Sequence, residues 1–456
     1  MSKSNKILHC GIDFGTTNSS LAISTFGTPS IVPIDRQNTN IGVLRSLIYL
    51  NPLHQQSVGY EAINRYLSDL TTLPSVPLRQ ELTGRLIKTF GPSGSSGAGP
   101  VIWVPEVVEI DDSGRGRLLQ SLKSVLTSSV FKGTIIFGKF YTLIDLLTIL
   151  MKEIKTRAEA EIGHELTSAV IGRPVKYVGK EENSLALERM QQIAKNSGFK
   201  HIEFEYEPVG AALNYAKQIK TPQNILVFDF GGGTLDICIM RLPSQEIIAV
   251  SGRGIGGDLL DSQIAKAYLL HHFGSTAIIN NKINMPKHFF AGFNSWYETT
   301  LQKTIKNIDS LRQLSIQSDQ PEKIHNLISL INHDYGFEFF RTVDEAKIAL
   351  SDFDTFNFDF SRPQLSIQQP LTRSGFEESI INELEESQKC IYESLTQAGL
   401  KPNQIDKVIL TGGSSQIPVF IHLISDIFSS DKLIVSDHFT SVAAGLALRA
   451  EKLFSC

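Results

Sequence analysis

The chain has 456 residues, 41% of them hydrophobic, and a mean hydropathy of −0.03, which exceeds one small core and suits two lobes or several subdomains. A net charge of −4 and a pI near 6.3 give no electrostatic footprint for nucleic acid or an anionic membrane, and no stretch is apolar and long enough to span a bilayer. Four cysteines at 10, 238, 390 and 456 lack zinc or disulfide spacing, and the N-terminus runs into a strand-like segment without a leader pattern, so a reduced, cytoplasmic setting is expected.

In chain order, residues 7–12 read as a strand, 13–20 as a polar turn, and 21–24 as the start of a second strand. A strand over 43–50 and a short helix over 59–70 follow. Residues 71–122 resist assignment; they hold the loop-like run Gly91–Pro100 and a strand-like 101–110. Apolar residues at 143, 146, 147, 150, 154 and 158 predict a helix over Thr142–Ile162. A strand at 168–173, a helix at 180–198 stopped by Gly198, and a helix at 208–219 continue an alternating α/β pattern. Beyond residue 239 the expectations are a strand at 245–251, a helix at 258–273, and a polar, aromatic-bearing insert over 274–340. Helices at 342–351, 375–399, 417–429 and 440–453 and a strand at 405–410 complete the reading.

Residues 225–239 combine an apolar run, Asp229, three glycines and a second alternating run, which is strand, tight turn, strand. Gly231, Gly232 and Gly233 bare backbone N–H groups to a bulky anion, and Asp229 and Asp236 flank the turn where a hydrated Mg²⁺ would neutralise it. A second copy stands at 11–23, where Asp13-Phe-Gly15 precedes Thr16 and Thr17, 216 positions earlier (229 − 13). Two related lobes, each offering one hairpin to a shared polyphosphate, explain that repeat.

Three other motifs fail on their chemistry. Gly133–Phe140 fits GxxxxGK, but Phe140 replaces the hydroxyl that a P-loop needs for its metal. Gly252–Gly257 fits GxGxxG, yet no acid stands near 277–282 to take a ribose, so a tight connection before a helix is the better reading. Asp229-Phe-Gly lacks the His-Arg-Asp loop of a protein kinase. Gly412-Gly413-Ser414, between a strand and a helix, could instead receive the nucleoside end of the same ligand.

GIDFGTTNS at 11–19, YEPVGAALNYA at 206–216, VFDFGGGTLD at 227–236, DEAKIALS at 344–351 and TGGSSQIP at 411–418 occur in one order over nearly the whole chain. Together they resemble the ATPase module of the heat-shock 70 kDa (DnaK-type) chaperones, within the actin-like superfamily, and in particular its shorter YegD-like members. The resemblance implies an α/β, actin-like two-lobed ATPase fold with duplicated ribonuclease-H-like lobes and inserted subdomains. Lobe one would cover 1–222 with an insert at 71–122, lobe two 223–436 with an insert at 274–340, and 437–456 a helix returning to lobe one. No peptide-binding domain is expected, since the chain stops at Cys456.

The resemblance also implies roles. Asp13 and Asp229 would hold Mg²⁺ through water, with Glu207 orienting water or metal at the lobe hinge. Gly15, Thr16 and Thr17 would meet phosphate oxygens, Gly231, Gly232 and Gly233 would wrap the β- and γ-phosphates, and Thr234 would lie near the γ-phosphate. Asp344, Lys347, Ser351, Gly412, Gly413 and Ser414 would form the adenosine side. The family's lysine against the γ-phosphate is Lys123 here, preferred over Lys88. Departures stand at Asp344 and Leu259, where the family has longer or additional acids, at Gln416 for an arginine on adenine, and at Phe439 for an aspartate. The expected function is a Mg-dependent ATP-binding protein, slowly hydrolysing ATP to ADP and phosphate and closing its lobes with nucleotide, read by a protein partner or co-chaperone. A sugar or polyol kinase and a non-hydrolysing scaffold are the alternatives.

Overall fold

The computed structural model describes residues 8–73, 79–90, 101–110, 114–129, 131–177, 183–217, 219–437 and 440–455. The expected loop at 91–100, Phe439 and the Lys88 side chain lie outside the described residues.

Two sheets are built on one plan. In the first, the central strand Leu8–Phe14 lies antiparallel to Asn18–Thr25, which lies antiparallel to Thr28–Ile31; on its other side Leu166–Arg173 and His201–Tyr206 run parallel. In the second, Gln223–Phe230 lies antiparallel to Leu235–Leu242 and that to Glu246–Arg253, while Lys407–Thr411 and Leu433–Val435 run parallel. The register repeats with the plan. Asp13 faces Ser20 and Asp229 faces Asp236, so the 216-residue echo (229 − 13) is a repeat of fold as well as of letters. This is the α/β, actin-like architecture that the resemblance implies. Central strands covered on both faces need continuous apolar runs, and Ile225, Leu226, Val227 and Phe228 are all 0% exposed.

Helix Leu143–Ile162 begins at a Thr142 capping box with Asp145 and lays Leu146, Leu147, Leu150 and Ile154 into the core of the first sheet. The two sheets join through a shared core of Val170, Val209, Val227, Ile409 and Leu446. Helices Glu207–Ala216 and Ser441–Phe454 cross there on glycine. A Cβ on Gly445 would sit 1.7 Å from the Gly210 carbonyl oxygen, so the backbones touch directly.

Several expectations differ from the structure. The strand expected over 43–50 is broken at Ser46, whose hydroxyl donates to the Gly15 carbonyl at 2.9 Å; Val43–Arg45 joins the first sheet and Leu47–Leu50 a separate three-stranded one. The helix expected over 258–273 is α-helical only over Gly257–Ile264 and then continues through a π turn and a 3-10 turn. Residues 375–399 form two helices broken at Ile380. A hairpin of Thr355–Arg362 and Leu365–Thr372 was not expected, although Phe356, Phe358 and Phe360 alternate as a strand requires. Phe339 meets Phe273, Phe293, Phe358 and Phe360 at 5.5–5.9 Å, so the segment after 274 shares one aromatic core with this hairpin.

Residues 115–120 also meet residues 296–334. Arg115 pairs with Asp334 at 2.7 Å, and the Trp296 indole donates to Gln120 at 2.6 Å. Helix propensity alone would make Gly445→Ala stabilising by about 1 kcal/mol. The contact with Gly210 reverses the sign: the variant is expected to lose about 1–3 kcal/mol, read as a lower urea midpoint at unchanged slope.

Candidate functional site

The two Asp-Phe-Gly turns face each other. A Cβ on Gly232 would lie 2.2 Å from the Thr17 hydroxyl oxygen, and one on Gly233 2.8 Å from that of Thr16. Any side chain there would push the turns apart, which is the physical reason for glycine at both positions. Gly231 closes its own turn by donating to Thr234 O at 3.0 Å, while Ser46 N and Oγ hold Thr17 O and Gly15 O at 2.8 and 2.9 Å. Gly257 N donates to Gly231 O at 3.0 Å and Asp258 N to Gly232 O at 2.9 Å, so Gly256–Asp258 backs the second turn. That is the work of the GxGxxG run. The rejected GxxxxGK run is a hairpin turned at Phe137 and Gly138, with φ of 47° and 77°.

Beneath the turns lies a concentration of carboxylates around one lysine. The Lys123 ammonium donates to Glu207 Oε1 at 2.7 Å, with both side chains nearly buried. Glu207 opens helix Glu207–Ala216, where the helix N-terminus favours its charge and Pro208 is tolerated. Lys123 sits in a short helix, Leu122–Val125, entered through Ser121 at φ 54°. Burial opposes the Lys123 charge, but Glu207, Tyr177 and Asp13 together outweigh it and hold the pKa above its ordinary value. Burial, then Glu207, pushes Asp13 up to about 7 against the opposing pull of Lys123. Asp229 too is raised well above its ordinary value, by burial and by Glu207, Asp236 and Asp13. Burial and Glu207 also lift Asp236 to about 7, although Val175 N donates to it at 2.8 Å.

Among the described residues no three His, Cys, Asp or Glu side chains converge to coordinate a metal directly. The donor set instead fits a hydrated divalent cation, which keeps its waters and needs only one or two carboxylates. Four mutually repelling acids against one lysine are the arrangement such a charge would relieve.

On the other flank, Gly412 takes φ 77°, and a Cβ there would meet Phe230 O at 2.4 Å. Ser414 donates to Gly231 O at 3.1 Å, tying Gly412–Ser414 to the glycine turn. Lys347, expected to reach a ribose, lies partly buried between Asp261 and Asp344 at 2.8 and 3.0 Å. Burial opposes its charge, and the two carboxylates outweigh that and raise its pKa. The Ser351 hydroxyl donates back to Lys347 O at 3.2 Å, and Gln416 donates to the Ser415 hydroxyl at 3.0 Å. Leu259 is half-buried in helix Gly257–Ile264.

Sequence reasoning missed three contributors. Asp258 accepts from Thr17 at 3.3 Å and from Ser121 at 3.1 Å, bridging the two halves of the chain. Ser46 shapes the first turn, and the buried Tyr177 hydroxyl has no hydrogen-bond partner among the described residues. Only Asp258 carried a signal, its place beside Gly256-Gly257.

Asp236 binds its proton more tightly folded than unfolded, so its contribution to stability is full below its ordinary 3.8 and lost as pH rises through about 7. With neither metal nor nucleotide, Asp236→Asn should therefore flatten the stability–pH profile between those values and raise stability at pH 7.5 by about 1–4 kcal/mol in urea titrations.

Comparison with known proteins places the chain in a family. The family model described as "Hsp70 protein" matches residues 126–287 and 337–455. The "Chaperone protein dnaK" of Cyanidioschyzon merolae is 24% identical over 452 residues, covering 96% of this chain and 61% of that protein. The "Chaperone protein DnaK" of Mycoplasmopsis agalactiae is 25% identical over 334 residues, covering 72% of this chain and 47% of that protein. The chain thus spans 61% and 47% of the lengths of these curated relatives. With a duplicated actin-like sheet, two apposed glycine and threonine turns and a match over more than half its length, the chain belongs to the Hsp70 family.

Proposed function

We propose that this chain is a Mg²⁺-dependent ATP-binding protein that hydrolyses ATP slowly and couples nucleotide state to closure of lobes 1–222 and 223–436. The observation that carries the reading is the apposition of Thr16 and Thr17 with Gly232 and Gly233 above the Lys123–Glu207 pair. Backbone N–H groups of Gly232 and Gly233, in the turn that Gly231 closes, and the hydroxyls of Thr16, Thr17 and Thr234 would bind phosphate oxygens from both sides. Asp13 and Asp229 would hold Mg²⁺ through its waters, with Glu207 as a further neighbour. When bound, that ion would supply positive charge against the phosphates. Phosphoryl transfer through a loose transition state mainly needs positioning and charge neutralisation, and these residues offer both.

Lys123 is the cation proposed to face the γ-phosphate, and Glu207, which accepts its hydrogen bond, the group that orients the attacking water. Gly412, Gly413, Ser414 and Ser351 would face the adenosine, while Asp344 and Lys347 brace that wall through their ion pair. A partly buried, already matched Lys347 makes direct ribose recognition by this lysine a lesser term than the family resemblance implies. The output is a conformational state read by a protein partner, in keeping with the chaperone names of the relatives; a short, YegD-like identity and a cytoplasmic setting belong to the same proposal.

Two measurements test it. Calorimetry with Mg-ATP should give one site, and absence of binding would end the reading. Lys123→Ala should then lower ADP production by ~10²–10³ with nucleotide still bound, the loss expected for one preorganised charge donor. Asp229→Ala should remove the Mg²⁺ dependence of whatever turnover remains. Strong stimulation of ADP production by one sugar or polyol would favour the kinase alternative instead.

A further inference from the structure

A cavity of about 120 Å³ lies away from the nucleotide cleft, where residues 115–120 meet residues 296–334. Tyr66, Leu118 and Ile136 wall it from the N-terminal half of the chain, and Trp296, Tyr297 and Leu301 from the C-terminal half. An apolar cavity of about 150 Å³ stays dry and takes a single benzene, so this one accommodates a group of about one ring. Sites of this kind favour the seam between two moving parts.

Of the charged groups at the wall, which also include Arg115 and Asp334, Arg117 decides the ligand's charge. Arg117 donates to Ile135 O at 3.2 Å and to the Tyr297 hydroxyl at 3.0 Å, and its guanidinium lies 6.0 Å from the Tyr297 ring centre. Two neutral acceptors therefore hold it, and among the described residues it forms no ion pair. A guanidinium has five N–H donors and suits a carboxylate bidentately. The neighbouring charges are engaged with each other: Arg115 and Lys303 converge on Asp334 at 2.7 and 2.5 Å.

We infer that this cavity binds a small carboxylate with one ring-sized apolar group, the ring seated among Tyr66, Leu118 and Trp296 and the carboxylate on Arg117. Because its walls come from both halves of the chain, such a ligand binds the closed arrangement better than an open one and shifts the population toward closure. The site requires no nucleotide, so it stands or falls apart from the ATPase proposal.

The test is calorimetry of the full chain with sodium benzoate and, in parallel, benzylamine. Benzoate should bind one to one and benzylamine at least about tenfold more weakly, the difference set by a charged hydrogen-bonded pair. Arg117→Leu should bring benzoate down to the level of benzylamine, while Arg117→Lys keeps most of the preference. Leu301→Trp, at a position 41% exposed and so tolerant of a larger side chain, should fill the cavity and abolish both. Benzoate should also slow amide exchange on both walls together, in Arg117–Gln120 and in Trp296–Leu301. Three results overturn the inference: no benzoate binding to the wild type, equal binding of the two probes, or benzoate affinity unchanged in both Arg117→Leu and Leu301→Trp. Protection of only one wall overturns the bridging.

Discussion

Like charge at the floor of the cleft is the constraint on which the rest of the structure depends. Asp13, Asp229, Asp236 and Glu207 are gathered where burial and mutual repulsion raise the pKa of the three aspartates. One lysine, Lys123, offsets part of that charge through Glu207. A fold gains nothing in stability from such an arrangement, and the cation proposed above would relieve it. The surrounding elements bring these groups close to two turns that meet at glycine.

Glycine sets how near the parts can come. Gly232 and Gly233 admit Thr17 and Thr16, Gly256 admits the Gly232 backbone, and Gly412 admits Phe230. At the base, Gly210 and Gly445 let two helices cross in backbone contact beneath both sheets. The phosphate turns and the junction between the sheets therefore rest on the same device, absence of a side chain at a point of closest approach. The halves are joined below by the packed helix crossing and above by the polar contacts Arg115–Asp334 and Trp296–Gln120.

The flank around Gly412–Ser414, proposed to face adenosine, is closely knit. Lys347 is matched by Asp261 and Asp344, and Gln416 is engaged with Ser415, so side chains on this wall bond chiefly to one another. On the proposed reading, recognition there would fall to backbone around Gly412 and Gly413, in contrast to the charged floor beside it.

Much of this was legible in the sequence because it is local. An apolar run ending in Asp229 and three glycines specifies strand and turn, and its echo at Asp13 announces a second sheet of the same register. Helix Leu143–Ile162 and its Thr142 cap follow from periodicity and a capping residue. What the letters left undecided depends on residues far apart in the chain. Ser46 breaks a strand because it bonds to Gly15, Lys347 is partly buried because Asp261 arrives from another helix, and Asp258 reaches Thr17 and Ser121 across 241 and 137 positions. Local propensity determined the turns and the acids at their ends. Only tertiary packing decided which charges neutralise one another, since that depends on distance and burial, and neither is a property of a segment alone.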